Sequence, residues 1–449
     1  MRYAKYKPTG IAWLPEVPEG WECVPIKRLA SIQTGSTPKT AIDAYWSVEE
    51  FDWYTPVDIS QVSDTTHLLD GASRKVSNFA VSDGAVRKFG SGTVLMVCIG
   101  SLGRLAVSKS SCSCNQQING IECGQRFDGY YAAYALLSQR GQIEAKAVYT
   151  TLPILNQTKT GQIVVPLPPL PTQRAIVAYL DEKCGKVDRL VAAKEKEAAL
   201  LKELKQSMIA EAVTRGISHA ESAECAEGVS SPRSLRSPRE NNRRLVPSGI
   251  PWLPEVPEGW EVKKVRQLAR EGKTKNKGNV EKNVLSLSYG RIIRKKDVYS
   301  GLVPTDFAAY QIVEKDYVVL RLTDLQNDHK SLRCGLVRER GIITSAYVSL
   351  VPQNVLPEYL YLALHTCDLN KVFYSMGGGL RQSMNFADVG NIFVPLPPLD
   401  EQREIVAYIE ARAAKIDAAV KGLEREVAVL KEYKQRLIAD VVTGQRKVA

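Results

Sequence analysis

Two long stretches of the chain repeat an apolar residue in alternating steps of four and three. In residues 394–449 the series is Ile409, Ala413, Ile416, Val420, Leu423, Val427, Leu430, Lys434 and Leu437; in 165–216 it is Leu180, Cys184, Val187, Val191, Lys194, Ala198, Leu201, Lys205 and Met208. This spacing keeps one stripe of a helix turned toward one partner, so both stretches predict coiled-coil rods. At roughly 45 residues and 1.5 Å per residue, each rod would be about 65 Å long. Each is entered through the same text, VPLPPLPTQRAIVAYL at Val165 and VPLPPLDEQREIVAYI at Val394, 229 positions apart. A second repeat, GIAWLPEVPEGW at Gly10 and GIPWLPEVPEGW at Gly249, lies 239 positions apart. Its prolines exclude a regular helix, and Trp13, Leu14, Val17 and Trp21 give a docking strap its apolar anchors.

The order is tag, body, rod, linker, tag, body, rod, an internal duplication. The expected divisions are 1–164 (first tag and body), 165–216 (first rod), 217–244 (linker), 245–393 (second tag and body) and 394–449 (second rod). In the first body, Gly92–Gly100 and Gly161–Val165 read as strands and Tyr130–Arg140 as a helix; in the second, Tyr317–Leu322 and Ala346–Val351 read as strands and Pro357–Thr366 as a helix. The bodies share this plan and little of their lettering. The linker, rich in Ser, Glu, Arg and Pro, lacks the apolar residues for a core, and a flexible tether is expected.

An apolar stripe this long needs a partner, and the other rod is the obvious one. A 28-residue linker permits either direction. Two similar units pack most simply about a pseudo-two-fold axis, which favours antiparallel rods and brings the C-terminus back to the first tag in a quasi-circular chain. The expected class is α+β, two α/β bodies separated by a pair of long antiparallel helices. At Lys194 and Lys205 the seam is polar; room for further helices from partner proteins and tolerated surface lysines are both open readings.

Composition changes this picture in one respect. The chain is 44% hydrophobic, has no apolar run long enough to span a bilayer, and starts without a signal-peptide core, so a cytoplasmic protein off the membrane is expected. Its net charge is +11, and Val262–Lys296 alone holds twelve Lys or Arg residues against Glu271 and Glu281. A basic stretch on an otherwise balanced chain suggests a polyanion partner, because counterion release drives binding to nucleic acid; a solvated lysine-rich face is the competing reading. The nine cysteines include no C-x-x-C pair and no histidine cluster, so neither disulfides nor metal is expected. No phosphate loop, dinucleotide fingerprint, H-E-x-x-H, nucleophile elbow or Asn-Pro-Pro-Tyr-like tetrapeptide occurs. No catalytic activity or cofactor of its own is expected.

The bodies do carry residues suited to phosphates and base edges. In the first these are Ser36, Thr37, Lys39, Trp53, Asn115 and Gln116; in the second, Lys273, Lys275, Lys277, Tyr289, Arg291, Arg321, Thr323, Asn327, Arg381, Gln382 and Ser383. Arginine pairs with guanine O6 and N7, Asn and Gln with adenine, and Lys more often touches phosphate alone. Asn115 and Trp53 are equally open to a buried structural role, and the glycines at 377–379 are first of all a turn.

GSTPKTAIDAYW, FDWYTPVDIS and CNQQING in the first body, with LSLSYGRIIRKK, RLTDLQNDHKSLRCGLVRERGIITSAYVSL and GGGLRQS in the second, resemble two groups of target recognition domains. The PLPPLxxQRxIVAY rod entries resemble the repeated regions of the same family, the specificity subunits of type I restriction-modification systems. The resemblance implies that each body reads half of a bipartite, asymmetric double-stranded DNA sequence. It also implies that the rods bind two modification subunits, through Gln173, Ile176, Tyr179, Gln402, Ile405 and Tyr408, and that restriction subunits join them. S-adenosylmethionine, ATP and Mg are then expected on those partners. A self-sufficient methyltransferase or nuclease, and a coiled-coil adaptor without DNA specificity, are the alternatives.

Overall fold

The computed structural model describes residues 2–47, 50–62, 67–149, 152–217, 244–295, 306–328, 331–376 and 383–448. The expected linker lies outside these residues apart from its two ends, as do the glycines at 377–379. The chain forms two compact units, Met1–Lys196 with Leu423–Ala449, and Glu197–Gly422. Each contains a body and a part of both rod helices, Leu170–Arg215 and Leu399–Val442.

Each tag is a β-hairpin. Tyr6–Ile11 pairs with Leu14–Pro18, and Leu245–Ile250 pairs with Leu253–Pro257. A hydroxyl closes both turns at the same place, Thr9 donating to the Leu14 carbonyl and Ser248 to that of Leu253. The next strand, Glu22–Pro25 or Glu261–Lys264, pairs antiparallel with the proline entry of the rod, Val164–Leu167 or Phe393–Leu396. The strand expected at Gly161–Val165 is thus displaced: Gln157–Gly161 is a short helix, and pairing begins at Val164. Pro166 and Pro395 are tolerated because each sheet has only two strands, leaving the outer edge without a ladder to satisfy.

Beneath their different lettering the bodies share a sheet. In the first, Ala30–Thr34, Ile118–Cys123, Val94–Val97 and Leu105–Ser108 lie in that order, each antiparallel to its neighbour. In the second, Ala269–Gly272, Val348–Pro352, Val318–Leu320 and Cys334–Leu336 repeat the order. A helix packs on each, Gly129–Leu137 or Pro357–Leu369. The first is capped by the Asp128 carboxylate, which accepts from the amides of Tyr130 and Tyr131, and it stops short of the expected Arg140, where a separate helix begins. The additions differ. The first body has a three-stranded sheet around Phe51–Tyr54; the second has a hairpin, Leu285–Ser288 with Arg291–Arg294, and the pair Gln311–Val313 with Gly341–Ile343.

Within the first unit, Leu180 and Cys184 share one apolar core with Leu437, Ile438, Val441 and Val442, and the same core takes in Leu14, Val17 and Trp21 of the tag. Ion pairs set the direction: Asp188 meets Lys434 at 2.8 Å, Lys194 meets Glu426, and Glu195 meets Lys431 at 2.8 Å. Numbers rise along one helix as they fall along the other, so the rods run antiparallel. In the second unit Lys205 meets Asp417 at 2.7 Å, the counterpart in the 229-residue repeat of Lys434 with Asp188. The seam lysines Lys194 and Lys205 are thus engaged within the rods. Each is held by an acid on the facing helix. The C-terminus returns to the first tag, where Tyr6 donates its hydroxyl to the Gly444 carbonyl at 2.7 Å. Gly444 has φ +75, and a Cβ there would overlap Pro18.

The two related ion pairs differ in burial. Lys434 is 8% exposed against 23% for Lys205, and Asp188 23% against 48% for Asp417. Asp188→Ala, which takes a carboxylate from the more buried of the two ammonium groups, is expected to cost about 2–4 kcal/mol, whereas Asp417→Ala costs less than about 1 kcal/mol. Denaturant unfolding of the two variants checks this, and equal losses would contradict it.

Candidate nucleic-acid interface

In the first body three segments meet. Gly35 donates its amide to the Ile118 carbonyl at 3.0 Å and Ser36 donates to Cys114 at 2.9 Å. The approach is close enough that a Cβ on Gly35 would overlap the backbone of Cys114 and Asn115. Trp53, on strand Phe51–Tyr54, is 3% exposed and donates its indole N–H to the Ser36 carbonyl at 3.0 Å. Asn115 is buried, and its side chain bridges to the amide and side chain of Gln117. Both residues serve the structural role left open for them, shaping the loops rather than facing out. The Ser36 hydroxyl is also spent, on the Ala85 carbonyl at 3.2 Å. Thr37, Lys39 and Gln116 are exposed, and Thr37 bonds to Gln116, joining the two loops at the surface.

In the second body Lys273, Lys275 and Lys277 project outward while Asn276 between them is fully buried, bonded through its side chain to the amide and carbonyl of Glu281. Lys273 rests 2.8 Å from Glu271. Tyr289 stands at the hairpin turn, 85% exposed, in the left-handed region at φ +47. Arg291 follows it, exposed, with its guanidinium 3.6 Å from Asp417. Arg321 is half-buried, 3.8 Å from Asp328; Thr323 is half-buried, and exposed Asn327 donates to Asp324 at 2.8 Å. Ser383 is exposed, and Arg381 and Gln382 lie outside the described residues. The hairpin turn abuts Leu332, so it neighbours the segment that closes the Arg321 loop. Basic residues of Val262–Lys296 are also partly neutralised locally, as where Arg294 pairs with Glu339.

The rod-entry residues turn mostly inward. Gln173 is fully buried, donating to the carbonyls of Arg126 and Pro168 and accepting from the Asp128 amide. Gln402 does the same, donating to Pro397 and accepting from Leu356. Ile176, Ile405 and Tyr408 are buried, and Tyr179 is half-buried. The motif fastens each rod to its own body: five of the six residues expected to bind partners are buried at that junction, and Tyr179 keeps part of its surface. Burial pushes the thiols of Cys98 and Cys112 up to about 11, so neither is a ready nucleophile at neutral pH.

Residues 18–201 and 257–427, which carry both bodies and most of both rods, match the model of the type I restriction modification DNA specificity domain. The chain belongs to that family. It is 21% identical over 458 residues to the type I restriction enzyme MjaIX specificity subunit of Methanocaldococcus jannaschii, covering 99% of this chain and 97% of that one. To the EcoBI specificity subunit of Escherichia coli it is 23% identical over 343 residues, 74% of this chain and 69% of that one. A chain from a solved structure described as showing complex assembly and conformational transition of the type I system shares the fold, with a TM-score of 0.65 at 18% identity over 95% of this chain and 98% of that one. This chain is thus a DNA-sequence specificity subunit of a type I restriction-modification system.

One residue of this specificity subunit escaped the sequence reading. Arg333 is wholly buried, and its guanidinium donates to the carbonyls of Arg321 at 3.2 Å, Thr323 at 2.8 Å, Asp324 at 3.3 Å and Asp328, and to the Tyr374 hydroxyl at 3.1 Å. It clamps the loop that carries Arg321, Thr323 and Asn327. In the sequence it is one arginine among several in a basic segment, and nothing in its spacing distinguishes it. Arg333→Met removes the donor that these carbonyls share, at an expected cost of about 2–4 kcal/mol. Amides of 321–328 should exchange faster while those near Ser36 stay protected; hydrogen exchange checks this, and unchanged protection of the loop would contradict it.

Proposed function

We propose that this subunit recognises a bipartite, asymmetric DNA target, each target recognition domain reading one half, and that its rods set the distance between the halves while binding two modification subunits. Restriction subunits complete the assembly. S-adenosylmethionine, ATP and Mg belong to those partners, and this chain contributes recognition and scaffolding in the cytoplasm rather than chemistry. The observation that carries the reading is the pairing of a repeated frame with unlike surfaces. Both domains have the same sheet order and the same glutamine-fastened rod junction, yet their added strands and loops differ. A duplicated frame supports one task done twice; unlike loops support two different sequences.

The decisive experiment maps methylated adenines in DNA exposed to the chain with its modification subunits. Two unlike half-sites at one fixed spacing are expected, and one extra heptad in both rods should change that spacing or abolish assembly. Methylation by the chain alone would favour a self-sufficient methyltransferase. Indifference of the complex to DNA sequence, with a weak dependence of binding on salt, would favour an adaptor.

A further inference from the structure

We propose that Arg74 is a specificity-determining residue of the first target recognition domain, its guanidinium stacked on Trp46 and Trp53 and presented to the edge of a guanine in one half-site. The proposal rests on the reading that this domain binds DNA through the surface around Thr37 and Gln116.

Strand pairing places the arginine. Phe51 lies opposite Val76 and Asp52 opposite Lys75, so Trp53 lies opposite Arg74, and the Trp53 amide donates to the Arg74 carbonyl at 3.1 Å. Residues directly opposite on an antiparallel pair share a face. The Arg74 guanidinium carbon accordingly lies 5.3 Å from the Trp53 ring centre and 4.4 Å from that of Trp46. The two indoles meet edge to face at 5.5 Å, and each is anchored by its N–H, Trp53 to the Ser36 carbonyl and Trp46 to that of Lys39. Both tryptophans are therefore tied to the loop that displays Thr37 and Lys39.

Arg74 is exposed and, among the described residues, has no carboxylate partner. Several other arginines of this chain, such as Arg2, Arg126 and Arg294, are spent on an acid. Contact with the two rings restrains the guanidinium without using its N–H donors, so less freedom is lost when they engage a ligand. A planar fork of donors held over rings that are tied to the loop bearing Thr37 and Lys39 matches the O6 and N7 acceptors of guanine in the major groove. Lysine would keep the charge at this position but lose the fork.

The test uses the complex with modification subunits, carrying wild-type chain, Arg74→Lys or Arg74→Ala, and measures binding to duplexes with each target base pair replaced in turn. Exchange of the first domain for an unrelated one identifies the half-site that it reads. Arg74→Lys is expected to erase discrimination at one G·C pair of that half-site, a loss of about ten- to a hundredfold, with the salt dependence, the other half-site and the unfolding midpoint unchanged. Uniform weakening across all duplexes, restored by Lys and accompanied by a shallower salt dependence in the Ala variant, would make Arg74 a phosphate contact and overturn the proposal. Unchanged discrimination in both variants would leave Arg74 a surface packing residue and overturn it equally. Failure of the underlying reading looks different: wild-type complex would then bind without preference at every position.

Discussion

The structure depends on a buried glutamine at the foot of each long helix. Gln173 and Gln402 sit one turn into their helices with no exposed surface to speak of, and each spends its amide on a proline carbonyl behind it and on the backbone of the adjoining domain. Tyr131 and Tyr359 reinforce the joint by donating their hydroxyls to the carbonyls of Pro166 and Pro395 at 3.0 and 3.1 Å. A proline entry by itself would be a hinge, since it lacks amide donors and cannot join a helix ladder. Satisfying its carbonyls from buried side chains makes it a rigid corner. Only then does the direction of a helix determine the direction of the domain it leaves.

The rods extend that rigidity with little specificity in their apolar residues. Alternating leucines, valines and alanines supply burial at most seam positions but say little about direction or register. Lysines placed in the seam add a directional contact, since Lys434 meets Asp188 and Lys205 meets Asp417 across the facing helices. A desolvated ion pair contributes little net stability, and its use here is registry. The same pair forms in both units, from residues matched by the repeat, so the duplicated sequence makes the same contact in each.

The domains follow the opposite logic. Their shared four-stranded sheet is invisible by letters because a sheet requires only that buried positions be apolar and that strands be joined by workable turns. Surfaces are then free to diverge. Several residues singled out by chemical type proved to be supports: Trp53 and Asn115 shape loops, and Asn276 turns inward between three exposed lysines. Arg333 and Arg74 went unremarked because their importance lies in which backbone or ring is opposite them, and that is a matter of strand register. Arginine is the same letter whether it is buried beneath a loop, stacked on indoles or salt-bridged at the surface.

The sequence alone determined the duplicated order of tag, body and rod, the rods' helical nature and seam, three of the bodies' strands and two of their helices to within a few residues, and the family to which the chain belongs. These are local or repeated features, and periodicity and identity of text report them directly. Only the tertiary structure decided which seam lysine meets which acid, that the rod-entry motif faces inward, and which polar residues of the loops are spent on their own backbone. Each of those depends on contacts between segments far apart in the chain, where a hydrogen-bond donor's role is set by the acceptor that folding brings to it.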